Sequence, residues 1–240
     1  MNPPPTLLVF SAHAADFVWR AGGAIALCAS RGYRARILCL SYGERGESQG
    51  AWKEPGMTLE RVKEIRRAES ERAAGLLGAE VRFFDAGDYP LRATDALVKS
   101  LVQEYRICRP EIVLTHAYND PYNPDHPAAN QLSLQTRVFA QAEGYPLPGP
   151  PLGAPPVFMF EPHQPEQCDF KPEVLLDVTA VWDRKRQAME SMAAQQHLVD
   201  YYSDLSRRRG TQAMRNSGRR GITHAEAYQR VFPQVTAELA

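Results

Sequence analysis

Five short apolar runs bounded by turn residues punctuate the first two thirds of the chain, and stretches with helical spacing separate them. The runs are Thr6 to Ser11, Ala35 to Ser41, Glu80 to Asp85, Glu111 to His116 and Val157 to Glu161. Strands that alternate with helices in this way are the pattern of βαβ units around a parallel sheet, so the predicted class is α/β. Between the runs, Gly22-Gly23 is expected to begin a small-residue helix through about Ser30. Thr58 to Leu77 carries Leu59, Val62, Ile65, Ala68, Ala73, Leu76 and Leu77 largely at three- and four-residue spacing, which predicts a long amphipathic helix stopped by Gly78. Asp95 to Cys108 reads as a third helix, Ala128 to Gln141 as a fourth and Asp183 to Leu205 as a fifth, followed by the basic run Arg207-Arg208-Arg209. The Pro- and Gly-rich stretch Gly144 to Pro156 reads as a surface connection.

Composition changes this picture little. The 240 residues suit one domain, 1–240, with a basic helical C-terminal extension from about 183. Lys and Arg total 28 against 28 Asp and Glu, so no global field points to nucleic acid or to an anionic membrane. The basic run is short and lacks interleaved aromatics, which also argues against nucleic acid. Arg207 to Arg209 and Arg219-Arg220 read either as a solvated helix face or as an inter-subunit patch, and a homo-oligomer is expected. Cys28, Cys39, Cys108 and Cys168 form no C-x-x-C pair and read as free thiols of a reducing compartment. With no signal-peptide pattern and no apolar stretch near the roughly 20 residues of a membrane span, a cytoplasmic protein is expected.

The informative residues gather at one edge of the predicted sheet. In an open α/β sheet, ligands bind beyond the carboxyl ends of the strands. His13 and Asp16 follow the first strand, Glu44 and Glu47 the second, Asp88 the third, His116 and His126 the fourth, and His163 the fifth. His13, Asp16 and His126 have the ligand types of an open three-ligand metal site, which leaves a position for water or substrate. Zinc is the first expectation, and two histidines with one carboxylate also suit ferrous iron.

The motifs resemble a known family. Ala12-His13-Ala14-Ala15-Asp16 followed by Gly22-Gly23 is similar to the A-H-P-D-D motif and paired glycine of the PIG-L (LmbE-like) zinc-dependent N-deacetylases, and Asn123-Pro124-Asp125-His126 to their H-P-D-H. Gly43-Glu44-Arg45-Gly46-Glu47 resembles the family's G-E segment, and Arg66-Arg67-Ala68-Glu69 its R-x-x-E helix. The resemblance implies a Rossmann-like three-layer sandwich with a mostly parallel sheet, and His13, Asp16 and His126 as metal ligands.

Two departures redirect the expected chemistry. The family's general base is the first aspartate of A-H-P-D-D, and Ala15 stands there; the first histidine of H-P-D-H is Asn123. Retained ligands with an absent base imply a changed reaction. Ser11 to Arg20, Ser41 to Ser48 and Phe160-Glu161-Pro162-His163-Gln164-Pro165-Glu166-Gln167-Cys168 resemble the 4-oxalomesaconate (4-carboxy-2-hydroxymuconate) hydratases of gallate and protocatechuate breakdown. That resemblance implies water addition to the double bond of a small tricarboxylate, with Glu47 as base, Glu44 as its alternative, and His163 as proton donor. Asn123, Arg45, Arg66 and Arg215 are the expected substrate-binding residues, with Arg20 a further candidate, because arginine engages planar carboxylates through two hydrogen bonds. An N-deacetylase with a substitute base, and a non-catalytic metal-binding relative, are the competing expectations.

Overall fold

A computed structural model describes residues 3–237. The elements are, in order, β1 (Thr6–Ser11), α1 (Asp16–Ser30), β2 (Arg34–Cys39), α2 (Gln49–Trp52), α3 (Leu59–Leu77), β3 (Ala79–Phe83), α4 (Asp95–Cys108), β4 (Ile112–Thr115), α5 (Asp125–Gln141), β5 (Val157–Phe160), β6 (Val174–Asp177), α6 (Trp182–Glu190), α7 (Leu198–Ser217) and β7 (Ala225–Arg230). Among the described residues the strands form one sheet in the order β3-β2-β1-β4-β5-β7-β6. β1 to β5 pair in parallel, whereas β7 runs antiparallel to both β5 and β6.

β1 is buried along its whole length, as a central parallel strand must be. Its alternate residues feed two cores: Leu7 and Val9 join one with residues of α1, α3, α6 and α7, and Leu8 and Phe10 join the other with residues of α4 and α5. The result is helix, sheet, helix. Local chemistry sets the long helices as the sequence predicts. The Thr58 hydroxyl accepts from the Arg61 N–H at the start of α3, and Gly78 closes it in the left-handed conformation. Thr94 caps α4 in the same way.

Three expectations need correction. α1 starts at Asp16 and not at Gly22-Gly23, which lie inside it. α5 starts at Asp125, three residues early, so His126 lies in a helical first turn; Pro127 is tolerated there because first-turn N–H groups have no helical acceptor. The predicted helix from Asp183 to Leu205 is two helices separated by residues 191–197, and Arg207 to Arg209 lie within the second. β6 and β7 were absent from the sequence reading. β7 brings the end of the chain back into the sheet between β5 and β6.

Gly23 is explained by β7. The Gly23 and Ala24 N–H groups donate to the two oxygens of Glu226 at 2.7 and 2.8 Å, and Lys185 Nζ and the Tyr228 hydroxyl donate to the same carboxylate at 2.8 and 2.6 Å. A Cβ on Gly23 would lie 2.6 Å from Val178 Cγ1 and 2.9 Å from the Glu226 carboxyl. Gly23→Ala therefore gains about 1 kcal/mol of helix propensity but incurs about 1–3 kcal/mol of overpacking against a carboxylate that is already held by four donors. Net destabilisation is expected, read as a lower urea midpoint at unchanged m-value; a midpoint at or above wild type would refute this account of the helix contact.

Candidate functional site

The strand order reverses between β1 and β4, because β2 lies on one side of β1 and β4 on the other. The crevice beyond the carboxyl ends of these two strands is the natural binding position of such a sheet. Cross-strand bonds pin the β1–α1 loop there. The Ser41 hydroxyl and N–H both donate to the Ala12 carbonyl, at 2.8 and 3.0 Å, and the Ala12 N–H donates to His116 Nε2 at 2.9 Å. Gly43, in the next loop, has φ +64° and no space for a side chain: a Cβ would meet Glu47 Cβ at 2.8 Å and His13 Cβ at 3.0 Å. Its missing side chain lets the β2 loop close against His13.

His13, Asp16 and His126 are all buried, and a donor atom from each lies within 4.8 Å of the others. His13 Nδ1 is 3.1 Å from Asp16 Oδ2, and His126 Nε2 is 3.4 Å from Asp16 Oδ1. The opposite ring nitrogens are held by further carboxylates: His13 Nε2 by Asp125 at 3.1 Å and His126 Nδ1 by Asp120 at 2.7 Å. Carboxylates on the far nitrogens are the arrangement that orients metal-ligating histidines. His126 Nε2 is buried with no hydrogen-bond partner among the described residues, as suits a nitrogen that would ligate a cation. The donor set therefore fits a divalent metal.

The electrostatics agree with that fit. Burial alone would lower the pKa of His13, but Asp16, Asp125 and Glu47 outweigh it and push it up to about 10. Burial would raise the pKa of Asp16, yet His126 and His13 hold its carboxyl well below the usual range. His116 supports from behind. Its ring stacks on His126 with centroids 4.3 Å apart, and burial together with His126 keeps it neutral.

Glu47 reaches this cluster and Glu44 does not. Glu47 Oε1 lies 4.0 Å from His13 Nδ1, and both of its oxygens are held by amides, Asn123 Nδ2 at 2.8 Å and Gln195 Nε2 at 2.9 Å. Glu44 is fully buried and faces Arg45 and Lys63; burial raises its pKa. Asp88 holds the loop between them, accepting from the Arg45 and Gly46 N–H groups. His163 lies across a cavity of about 250 Å³ whose lining includes Asp16, Arg20, Glu47, Asn123, His126 and Tyr202. Its ring stacks on Tyr201 at 4.2 Å, its Nδ1 is 3.4 Å from the Tyr202 hydroxyl, and burial and Arg20 lower its pKa.

The expected substrate arginines are elsewhere. Arg45 is half-exposed and engaged by Glu44 and Asp88. Arg66 is fully buried, donating to Glu69 at 2.7 Å and to Gln195 Oε1 at 2.9 Å, so it acts on the site through the glutamine that holds Glu47. Arg215 lies on the exposed last turn of α7. None of the three lines the cavity, and Arg20 does. Asp120, Asp125 and Gln195 were also missed as site residues. A search for one carboxylate per ligating histidine would have suggested the two aspartates, but no local pattern marks Gln195.

Residues 8–136 match the family model described as GlcNAc-PI de-N-acetylase, PIG-L. Over its full length the chain is 53% identical to the 4-oxalmesaconate hydratase of Pseudomonas putida, covering 94% of that protein. The crystal structure of GalB, the 4-carboxy-2-hydroxymuconate hydratase from P. putida KT2440, superposes with a TM-score of 0.96, covering 98% of this chain and 100% of that one at 53% identity. More distantly, 79% of the chain aligns at 26% identity with 82% of a Thermobifida fusca 1D-myo-inositol 2-acetamido-2-deoxy-alpha-D-glucopyranoside deacetylase. With its ligand set, its sheet and these relatives in agreement, the chain belongs to the PIG-L family.

Proposed function

We propose that this chain is a metal-dependent hydro-lyase that adds water to the double bond of 4-oxalomesaconate (4-carboxy-2-hydroxymuconate) to give 4-carboxy-4-hydroxy-2-oxoadipate, a step in gallate or protocatechuate degradation. The observation that carries the reading is the replacement of one carboxylate position by another. Ala15 is buried at the N-terminus of α1 with no acid to offer, while Glu47 reaches the same donor set from the β2 loop. The extended likeness to a hydratase supports it. The cavity lies at the small end of ligand pockets, which suits a compact substrate.

His13, Asp16 and His126 would hold the metal, with zinc as the proposed ion. Such an ion supplies Lewis acidity and lowers the pKa of bound water toward about 7. Glu47 has one carboxylate held between two amide donors, fixed for taking a proton from water without rotating away. The hydroxyl adds to the alkene carbon that bears a carboxylate, and the electron pair moves through the conjugated carbonyl. His163 gives its proton to the neighbouring carbon, and the proton on Glu47 returns through solvent. No amine leaves. Burial and Arg20 both disfavour the imidazolium of His163, and an arriving polyanion would offset the part that Arg20 contributes.

Purified protein incubated anaerobically with the tricarboxylate is expected to bleach the ultraviolet absorption of the conjugated substrate; no bleaching by metal-loaded protein would overturn the hydratase reading. His13→Ala, Asp16→Ala and His126→Ala are each expected to lose metal, measured as ions per chain after gel filtration. A full complement in one of them removes that residue from the ligand set. Glu47→Gln and His163→Ala should retain metal and lose about 10²–10⁴ in kcat. Near-normal turnover of either variant would exclude that residue's proton-transfer role. Ala15→Asp places an anion against a polyanionic substrate in a poorly screened site, so hydration should fall sharply without any gain of N-acetylglucosamine deacetylation. Robust amide hydrolysis by this variant, with no hydration by wild type, would favour a lapsed deacetylase.

A further inference from the structure

Arg20 is the one arginine or lysine among the described residues that line the cavity. It lies on α1 one helical turn after Asp16, and its residue is only 8% exposed. Its Nε and Nη1 are buried and have no hydrogen-bond partner among the described residues. Its ion-pair contact is with Asp16, Nε to Oδ1 at 3.8 Å, beyond hydrogen-bond length.

Other buried arginines are used differently. Arg106 donates to the carbonyls of Ala140, Ala142, Leu147 and Gly149, and Arg137 donates to that of Pro155. Arg66, whose Nε is also unpartnered, still donates through both terminal nitrogens to Glu69 and Gln195 and does not line the cavity. A guanidinium is permanently charged, so burial with donors unused is costly unless an acceptor arrives. Asp16, the nearest acid, belongs to the donor set for the metal. A cation there draws on the same charge that Arg20 faces and leaves the guanidinium available to a second anion.

We infer that Arg20 is the specificity-determining residue that receives one carboxylate of the substrate, at a subsite of the cavity separate from the metal donor set. The inference rests on the proposed tricarboxylate reading and deepens it. Trp19, Tyr202 and His163 share the cavity lining with Arg20, and Trp19 stacks on Tyr202 with centroids 5.6 Å apart. The burial of the guanidinium nitrogens leaves their charge weakly screened, so a planar carboxylate gains more there than a neutral hydroxyl or acetamido group would.

The test uses metal-loaded protein and propane-1,2,3-tricarboxylate, a saturated probe that cannot be hydrated. Its dissociation constant, by calorimetry, is expected to rise about tenfold to a hundredfold in Arg20→Met and Arg20→Gln, as loss of a charge-assisted hydrogen bond requires. KM for the unsaturated tricarboxylate should rise in parallel, with metal content unchanged and the melting temperature of probe-free protein not lowered, since the neutral side chains relieve an unpaired buried charge. Arg20→Lys should fall between, because it supplies charge without the planar fork. Millimolar guanidinium ion should restore part of the probe affinity to Arg20→Ala, a rescue that a merely structural role would not produce. Wild-type affinity in any folded, metal-loaded neutral variant would overturn the inference. If the neutral variants do not fold, Arg20→Lys decides, since unchanged affinity and unchanged KM in it would overturn the proposal. Because binding is read without turnover, a wild-type protein that binds the probe through Arg20 but does not hydrate its substrate would refute the hydratase reading alone.

Discussion

The buried carboxylate of Asp16 is the constraint on which the site depends. It opens α1, where the helix dipole favours an anion, and it accepts from the His13 N–H at 2.8 Å within its own loop. Those two contacts do not satisfy a charge so deep in the molecule, and two imidazoles supply the rest, His13 beside it and His126 at 3.4 Å, with the neutral ring of His116 stacked behind His126. Two of these rings come from beyond β4, so the parallel pairing of β1 with β4 is a requirement of the site as much as of the sheet. Asp120 and Asp125 extend the alternation of charge outward, and Asp125 also accepts from the Tyr89 and Leu91 N–H groups, which ties the loop after β3 to the same centre. A metal would replace scattered partial neutralisation with one cation, and the frame is already built around that position.

Sequence pattern was sufficient where the signal was local. β1 was placed to the residue because six consecutive buried positions make an uninterrupted run. α3 and α4 were placed nearly so because threonine caps and an αL glycine are short-range devices. β7 escaped because its apolar content is low: Ala225 to Arg230 reads Ala-Glu-Ala-Tyr-Gln-Arg, and its buried acid, Glu226, is stabilised by Lys185 and by backbone donors from a helix about two hundred residues earlier. No window along the chain contains that information. The start of α1 was displaced for a related reason. Gly22-Gly23 looked like a boundary, whereas Gly23 marks where Glu226 enters.

The site divided along the same line. The grouping of His13, Asp16 and His126 was legible because ligand types at strand ends are a chemical signature independent of distance. The arginines were not, because one arginine resembles another until its acceptors are known. Arg45 and Arg66 already have theirs, and Arg20 has donors to spare. Residue type proposes a role for a guanidinium, and the count of satisfied donors narrows the choice.

Asn123 shows how a single exchange can follow from a change of reaction. A histidine in that position resembles the group that stabilises a tetrahedral intermediate in the deacetylases. Asn123 instead donates through its amide to Glu47 and accepts from the Asp125 N–H at 3.1 Å, so it joins the base to the loop that holds His13. An amide cannot titrate in this range, and so it orients Glu47 without competing for the proton that Glu47 would take in the proposed reaction. Gln195, held by Arg66 and Glu69 of α3 through contacts to itself and to the Ala194 N–H, does the same from the opposite side. Ala15 fits the proposed reaction: with no acid in the loop that carries His13 and Asp16, the proton-taking group proposed here, Glu47, reaches the donor set from a different loop and a different direction. In that proposal the water would approach a planar conjugated carbon instead of an amide carbonyl, and His13, Asp16 and His126 need not change.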